Sequence, residues 1–433
     1  VQAIEKFFKL EQHGTTVRTE LVAGLTTFLT MAYIVFVNPS ILADAGMPRD
    51  AVFVATCLIA ALGSLIMGLY ANYPIALAPG MGLNSYFAYV VVKGMGFSWQ
   101  VALGAVFISG CLFLVVTLFR LRELIIRGIP HALRSAITVG IGLFLAIIAL
   151  KSAGIVAASP DTFVTLGDLH SPTVVLAVLG FFVIAVLDRR RVPGAILIGI
   201  LAVTLLSFVF GGNTFGGVFA LPPSIAPTFL QLDIKGALSA GILNVVLVFF
   251  LIELFDATGT LMGVAKRAGL LTEGKMDRLN KALLADSGAI VAGSLLGTSS
   301  ATAYIESAAG VQAGGRTGLT AVTVAVLFLA CLLISPLAGT VPAYATAPAL
   351  FFVACLMLRE LTELDWDDST EVIPAAVTAL TMPFTYSIAN GLAFGFITYA
   401  VLKAGTGRAR EVHPMVWVIA AVFLFKFVYV GGH

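Results

Sequence analysis

Residues 74–92 read PIALAPGMGLNSYFAYVVV, and residues 297–311 read GTSSATAYIESAAGV. The first is an apolar run interrupted by Pro74, Pro79, Gly80 and Gly82. The second is short and rich in Ser, Thr and Gly. Proline removes a backbone donor and glycine frees φ, so a spanning helix breaks at such places. Broken backbone at membrane depth is tolerated only where it lines a protein cavity. A packing kink is the plainer explanation of either segment alone. Their occurrence at corresponding positions of two halves argues for a shared site.

The chain around them has 433 residues, 59% hydrophobic and 11% charged, with a mean hydropathy of +1.02. Ordinary soluble domains carry about 45–50% apolar and about 25% charged residues. A single soluble core also stops growing near ~250–300 residues. A soluble enzyme and a disordered scaffold are therefore excluded, and the chain reads as an all-α polytopic membrane protein. The 25 Lys+Arg and 23 Asp+Glu nearly cancel to +2, so no basic surface points to nucleic acid. Cys57, Cys111, Cys331 and Cys355 lie in apolar stretches, spaced for neither a metal nor a disulfide framework. The polar, charged residues 1–18 read as a cytoplasmic N-tail rather than a signal peptide.

A spanning helix needs roughly 20 mostly apolar residues. Such runs fall at 19–42, 51–70, 74–92, 98–119, 131–155, 172–188 and 193–211. A second set falls at 239–265, 279–297, 299–314, 317–341, 343–362, 371–387 and 388–404, with a further apolar stretch at 415–430. The stretch 371–404 is predicted to be a hairpin of two short spans meeting near Asn390-Gly391; the alternative is a 14-span count that ends with 415–430. The Gly/Pro-rich 211–237 link divides the chain near its middle. Seven spans before it and about seven after force the second copy to enter from the opposite side. That is the inverted-repeat logic of secondary transporters, whose broken segments make the site.

Basic residues orient the spans. With a cytoplasmic N-terminus, the inner side collects Lys6, Lys9, Arg18, Arg120, Arg122, Arg127, Arg134 and the Arg189–Arg191 triplet. It also takes Lys266, Arg267, Lys275, Arg278, Lys281, Arg316, Arg359, Lys403, Arg408 and Arg410. Only Arg49, Lys93, Lys151 and Lys235 fall outside, and Lys426 sits in the last stretch. The expected location is the cell (inner) membrane, with membrane lipid as its surroundings.

A charged acid at the bilayer centre costs roughly 2.5–3.5 kcal/mol on insertion scales. Three acids stand deep in apolar runs: Glu253 and Asp256 in LVFFLIELFDATGTLMG, and Glu306 in TAYIESAAG. Glu253, Asp256 and Thr260 fall on one helical face. Pairing with backbone or hydroxyl donors is the plainer alternative, and it is strongest for Glu253. Asn84 follows the Gly-broken segment and offers both a donor and an acceptor. Phe87 and Tyr86 could stack a flat ligand or simply pack.

Other motifs carry less. FDATGT is like the phosphorylated DKTGT of ion pumps but lacks the Lys and any nucleotide-binding domain. AGGRTG lacks the spacing and Lys of a phosphate loop, and the five histidines are scattered with no HExxH. The acidic run ELTELDWDDSTE (360–371) is most simply a solvated loop. The Arg189–Arg191 triplet is most simply a topology signal. No metal site, cofactor or catalytic constellation is indicated, so the chain is not read as an enzyme.

The stretches FKLEQHGTTVRTELVAGLTTFLTMAYIVFVNPSIL, APGMGLNSYFAY, LFDATGTLMGVAKRAG, GTSSATAYIES and ESAAGVQAGGRTGLTAVTV together resemble the AzgA-like purine permeases of the nucleobase–ascorbate transporter superfamily. The resemblance implies a 7+7 inverted repeat of about 14 helices with core and gate domains and short strands in spans 3 and 10. The core halves would be 19–119 and 239–341, the gate halves 131–211 and 343–433. Carried over by motif, the eighth-span acid is Asp256, followed by Gly259 and Leu261. Thr260 stands where uracil-type relatives have His. The tenth-span glutamate is Glu306 and the third-span amide is Asn84. The span-10 strand would bring Ser300 and Ala301 backbone near the ligand. The implied function is proton-coupled symport of adenine, hypoxanthine or guanine by an elevator-type mechanism, with Asp256 and Glu306 as proton-coupling acids. The alternative is an anion carrier or channel of the sulfate type on the same fold, which central acids disfavour. The implied partners are a purine nucleobase and a proton, and a homodimer stays open.

Overall fold

The computed structural model describes residues 2–119, 121, 128–239, 242–267, 271–272, 275–276, 278–425 and 427–428. Arg120, Arg122 and Arg127 of the inner-side set, and parts of the 239–265, 266–281 and 415–430 stretches, lie outside them. So do the side chains of Lys266, Arg267 and Lys275. The described residues contain ten helices long and apolar enough to cross a membrane, and two shorter apolar helices, Ala195–Phe210 and Pro414–Phe425.

The first span is interrupted. Helix α1 (Val17–Met31) stops at Ala32–Tyr33, and α2 (Ile34–Asp44) continues the 28-residue path. Thr16 starts α1 by accepting a hydrogen bond from the Thr19 amide. Helix α3 (Arg49–Ile66) widens into a π-helical turn over Met67–Ala71. The run 74–92 then breaks as its prolines and glycines predict. Strand β1 (Leu77–Pro79) is followed by a half-helix, α4 (Met81–Ser85), which continues as a π-helix to Gly94. Helices α5 (Trp99–Leu118) and α6 (His131–Ser152) follow. An exposed hairpin comes next, with β2 (Val156–Ser159) and β3 (Phe163–Leu166). Helices α7 (Pro172–Arg189) and α8 (Ala195–Phe210) precede the central link.

The later part repeats the broken pattern. Helices α9 (Leu243–Arg267) and α10 (Leu279–Leu296) precede strand β4 (Ala301–Ala303) and a six-residue helix, α11 (Ser307–Gln312). Gly297 ends α10 at φ +91°, and a Cβ there would lie 2.3 Å from the Thr228 side chain. Only glycine satisfies both demands. Helix α12 (Gly318–Cys331) is seated by Glu20 of α1, fully buried, whose carboxylate accepts from the Arg316, Thr317 and Thr320 amides and the Thr320 hydroxyl. An acid at a helix N-terminus satisfies amides that have no intrahelical partner. Gly318 also abuts Gly68 so closely that a Cβ would lie 1.9 Å from its carbonyl oxygen.

Helices α13 (Ala343–Met357), α14 (Ser369–Phe384), α15 (Ile388–Gly405) and α16 (Pro414–Phe425) complete the chain. The stretch 371–404 is a helical hairpin, but it turns at Thr385–Ser387 rather than near Asn390-Gly391. Ser387 caps α15 by accepting from the Asn390 amide. Gly391 instead lies within α15, against Met382 and the Thr378 carbonyl of α14. It is a packing glycine, not a break. The acidic run also differs from a simple solvated loop. Asp368 caps α14 and pairs with Arg408 at 2.7 Å, while Glu371 pairs with the buried Lys403 at 2.7 Å. An ammonium at the end of an apolar helix needs such partners to be buried.

By backbone contacts the chain forms two compact units, residues 1–118 with 152–349, and residues 119–151 with 350–433. Every sequence-selected site residue lies in the first.

Candidate functional site

Strands β1 and β4 meet as an antiparallel pair, with Leu77 opposite Ala303, Ala78 opposite Thr302 and Pro79 opposite Ala301. Three residues a side cannot satisfy a buried backbone alone, so side chains complete the ladder. The Gly80 amide donates to Ser300 O and the Tyr304 amide to Ala76 O. Ser64 of α3 accepts from the Leu77 amide, and Ser307 accepts from the Ala76 amide. Asp286 of α10, fully buried, accepts from the Ala303 amide at 3.0 Å and the Thr302 hydroxyl at 3.2 Å. The two interrupted segments therefore form one rigid crossing.

Around the crossing, side chains divide by exposure. Asp256, Thr260 and Glu306 are half-buried, whereas Asn84, Phe87, Ser300, Ala301 and Glu253 are fully buried. Helix α9, bearing Asp256 and Thr260, packs on β4 and α11. This brings Asp256 within electrostatic reach of Glu306 and Asp286. Glu306 stands just before α11. The Tyr33 hydroxyl, at the interruption of the first span, donates to its Oε1 at 2.7 Å. The Asp256 carboxyl makes no hydrogen bond to the described residues. Two acids thus keep partial access, one tethered and one untethered.

The buried residues form the frame. The Asn84 amide nitrogen donates to Asn38 Oδ1, and its oxygen accepts from the Ser299 hydroxyl. Asn38 in turn donates to the Thr56 and Thr298 hydroxyls at 2.8 and 3.0 Å. A donor and the acceptor oxygen of Asn84 are thus engaged by protein, so in this state it clasps α2, α4 and the approach to β4. Tyr86 stacks edge-on against Phe249 of α9. Glu253 accepts from the Ser109 hydroxyl of α5 at 2.6 Å.

Sequence reading passed over Tyr33, Asn38, Ser299 and Asp286. Asp286 did carry a signal, as the only acid in the helical run 279–296. Tyr33, Asn38 and Ser299 carried none, being neutral residues whose partners are distant in sequence.

Chemically, the accessible face offers carboxylate acceptors and hydroxyls. Of the segments that build it, α4, β4 and α11 contain no Lys, Arg or His, and α9 has Lys266 and Arg267 only at its last two positions. Among the described residues no group of three His, Cys, Asp or Glu could hold a metal ion. Such a face suits an uncharged or cationic ligand with N–H donors and opposes an anion.

A family model described as the Permease family matches residues 18–394. The chain belongs to that family. This permease is 51% identical over 431 residues to an adenine permease of Escherichia coli (strain K12), covering 99% of the chain and 97% of that relative. It is 46% identical over 428 residues to a guanine/hypoxanthine permease of Bacillus subtilis (strain 168), covering 97% and 99%. Its fold is that of the transmembrane domain of a cyanobacterium bicarbonate transporter, with TM-score 0.63 at 18% identity, over 87% of this permease and 96% of that chain. The murine Solute Carrier 26 family member A9 anion transporter matches with TM-score 0.62 at 11% identity, over 90% and 68%. The permease is a multi-pass membrane protein.

Proposed function

We propose that this permease is a secondary-active, proton-coupled importer of purine nucleobases: adenine, hypoxanthine or guanine. The observation that carries it is the pair Asp256 and Glu306, half-buried on adjacent elements beside two broken segments, with no basic residue in those segments. A purine presents ring and exocyclic N–H donors along a flat edge. Carboxylates accept such donors strongly. The printed names of the relatives support the same substrate class.

Glu306 is assigned mainly to recognition, because Tyr33 fixes one of its oxygens. Asp256, untethered, is assigned the coupling proton, Thr260 is assigned to the ligand, and the backbone of Ser300 and Ala301 is assigned to lie near it. Asn84 holds the crossing in this state, and Phe87, fully buried, is assigned to the flat face of the purine. The 7+7 inverted repeat of 14 spans is retained. So is an elevator-type movement of a core (19–119 and 239–341) against a gate (131–211 and 343–433), in a cell inner membrane with the N-terminus cytoplasmic.

The fold resemblance to anion transporters supplies the other reading. Acidic groups at the crossing count against it, since an anion site favours Lys, Arg or bare helix N-termini. Uptake of labelled adenine, hypoxanthine and guanine into proteoliposomes, beside sulfate and bicarbonate, separates the two. Saturable purine uptake is expected. Sulfate or bicarbonate uptake without purine uptake would overturn the proposal.

A further inference from the structure

Glu253 lies one turn before Asp256 on α9 and, unlike it, is fully buried. Protein surrounds its carboxyl on every side. Ser109 Oγ donates to Oε2 at 2.6 Å, and Oε1 has no hydrogen-bond partner. The Ser300 hydroxyl is a close neighbour of the carboxyl and is itself buried without a hydrogen-bond partner of good geometry. Two orphaned polar groups facing each other in a packed interior need a reason.

Charge supplies it. The elements packed against α9 are α5, α10, β4, α11 and α4. Three acids face this region: Asp256 on α9 itself, Asp286 on α10 and Glu306 at the start of α11. The Tyr86 ring packs on Phe249, one turn before Glu253. Those five elements contain one basic residue, Lys281, at the exposed first turn of α10 and over the Tyr70 ring. The Lys266 and Arg267 of α9 stand at its far end. A buried carboxylate with no cation and an unsatisfied oxygen is disfavoured against the neutral acid.

We propose that Glu253 is a second proton-binding site of the transport cycle, carrying its proton on Oε1 in this state and reporting it to the ligand-binding segments through Ser300. With Oε1 protonated, the O–H faces the Ser300 oxygen while Oε2 keeps the Ser109 bond. When the proton leaves to water, both hydroxyls can donate to the carboxylate. One proton is bound and one released; no other group changes charge. Ser300 transmits the change because its carbonyl accepts from the Gly80 amide and so joins the two broken segments. Protonation at Glu253 would thereby bias the crossing that Asp256 and Glu306 border.

This inference rests on the proton-coupled reading above, and its test separates the two. The purified full chain and its Glu253→Gln variant are compared by infrared absorption of protonated carboxyl groups, in detergent and without purine. A neutral-carboxyl band present in the parent and missing from the variant is expected. Its presence at equal strength in both overturns the inference whatever the chain transports. In proteoliposomes, Glu253→Gln should keep labelled-purine exchange and lose accumulation driven by a pH gradient. Parent-like accumulation in the variant overturns the coupling role. Ser109→Ala leaves the acid in place and guards against a variant that does not fold. It should shift the pH at which accumulation is half-maximal, and an unshifted profile counts against the site.

Discussion

The Tyr33 hydroxyl donates to Glu306 Oε1, and on the proposed reading this leaves Oε2 to face the ligand. A hydrogen bond of this kind is worth roughly 0.5–1.5 kcal/mol net. Tyr33→Phe should therefore weaken purine binding by about 2- to 12-fold, read by calorimetry on the purified variant; unchanged affinity would reduce Tyr33 to packing. The two acids should part in behaviour. A neutral amide imitates a protonated acid in size but releases no proton. Asp256→Asn should keep binding and exchange while losing pH-driven accumulation, whereas Glu306→Gln should lose binding first. Calorimetry beside uptake with and without a gradient checks this, and the opposite pattern reverses the assignment. Asp256, Glu306 and Glu253 could be read from sequence because an acid inside an apolar run is conspicuous. Tyr33, Asn38 and Ser299 could not, since nothing local marks a hydroxyl or amide whose partner arrives from across the fold. Asn84 was visible as a residue, but its engagement by Asn38 and Ser299 was not.

Elements were readable where backbone chemistry is strong. Pro74, Pro79, Gly80 and Gly82 forecast the interruption around β1, and the Ser/Thr-rich 297–311 segment forecast a second one; the strands themselves followed only from the family resemblance. That the two would pair strand to strand needed coordinates, since their register depends on contacts from α3 and α10. The interruption at Ala32–Tyr33 carries no Pro or Gly and was invisible. In the α14–α15 hairpin, glycine misled about the turn because close helix packing uses it as readily as a break. The same hairpin is tied at one end by Lys403, Arg408, Asp368, Glu371 and Glu411. Hydrogen bonds from the Thr370 hydroxyl and then the Arg408 guanidinium hold the Asp368 carboxyl well below the usual carboxylate range. Arg408, first of its causes, lowers Glu411 as well. Depressed carboxyls contribute stability that is present above their unfolded values, near pH 4, and is lost as pH falls through the folded ones. The melting temperature of Arg408→Gln should lie below the parent's at pH 7, and the gap should begin to narrow only as pH falls below about 4, closing towards the depressed folded values. A gap independent of pH would show that the network does not act through these carboxyls.

For the whole molecule, composition alone established a multi-pass membrane protein, because so apolar a chain has no soluble solution. Orientation rests on charge placement and the repeat count on apolar runs, neither on packing. With the N-terminus cytoplasmic, positions in 189–191 and 266–281 should resist cysteine labelling from outside intact cells, and the 211–237 link should react. Labelling of 266–281 from outside would invert the topology. Substrate class drew on motifs, on relatives and on an acid-lined crossing, each independent of the coupling ion. That ion is open to a direct measurement. Purine is added outside proteoliposomes that hold the permease and an internal pH indicator, with no imposed gradient. The account predicts acidification of the interior on addition of adenine, hypoxanthine or guanine, and none with sulfate. Entry of labelled purine with no change in internal pH would contradict it.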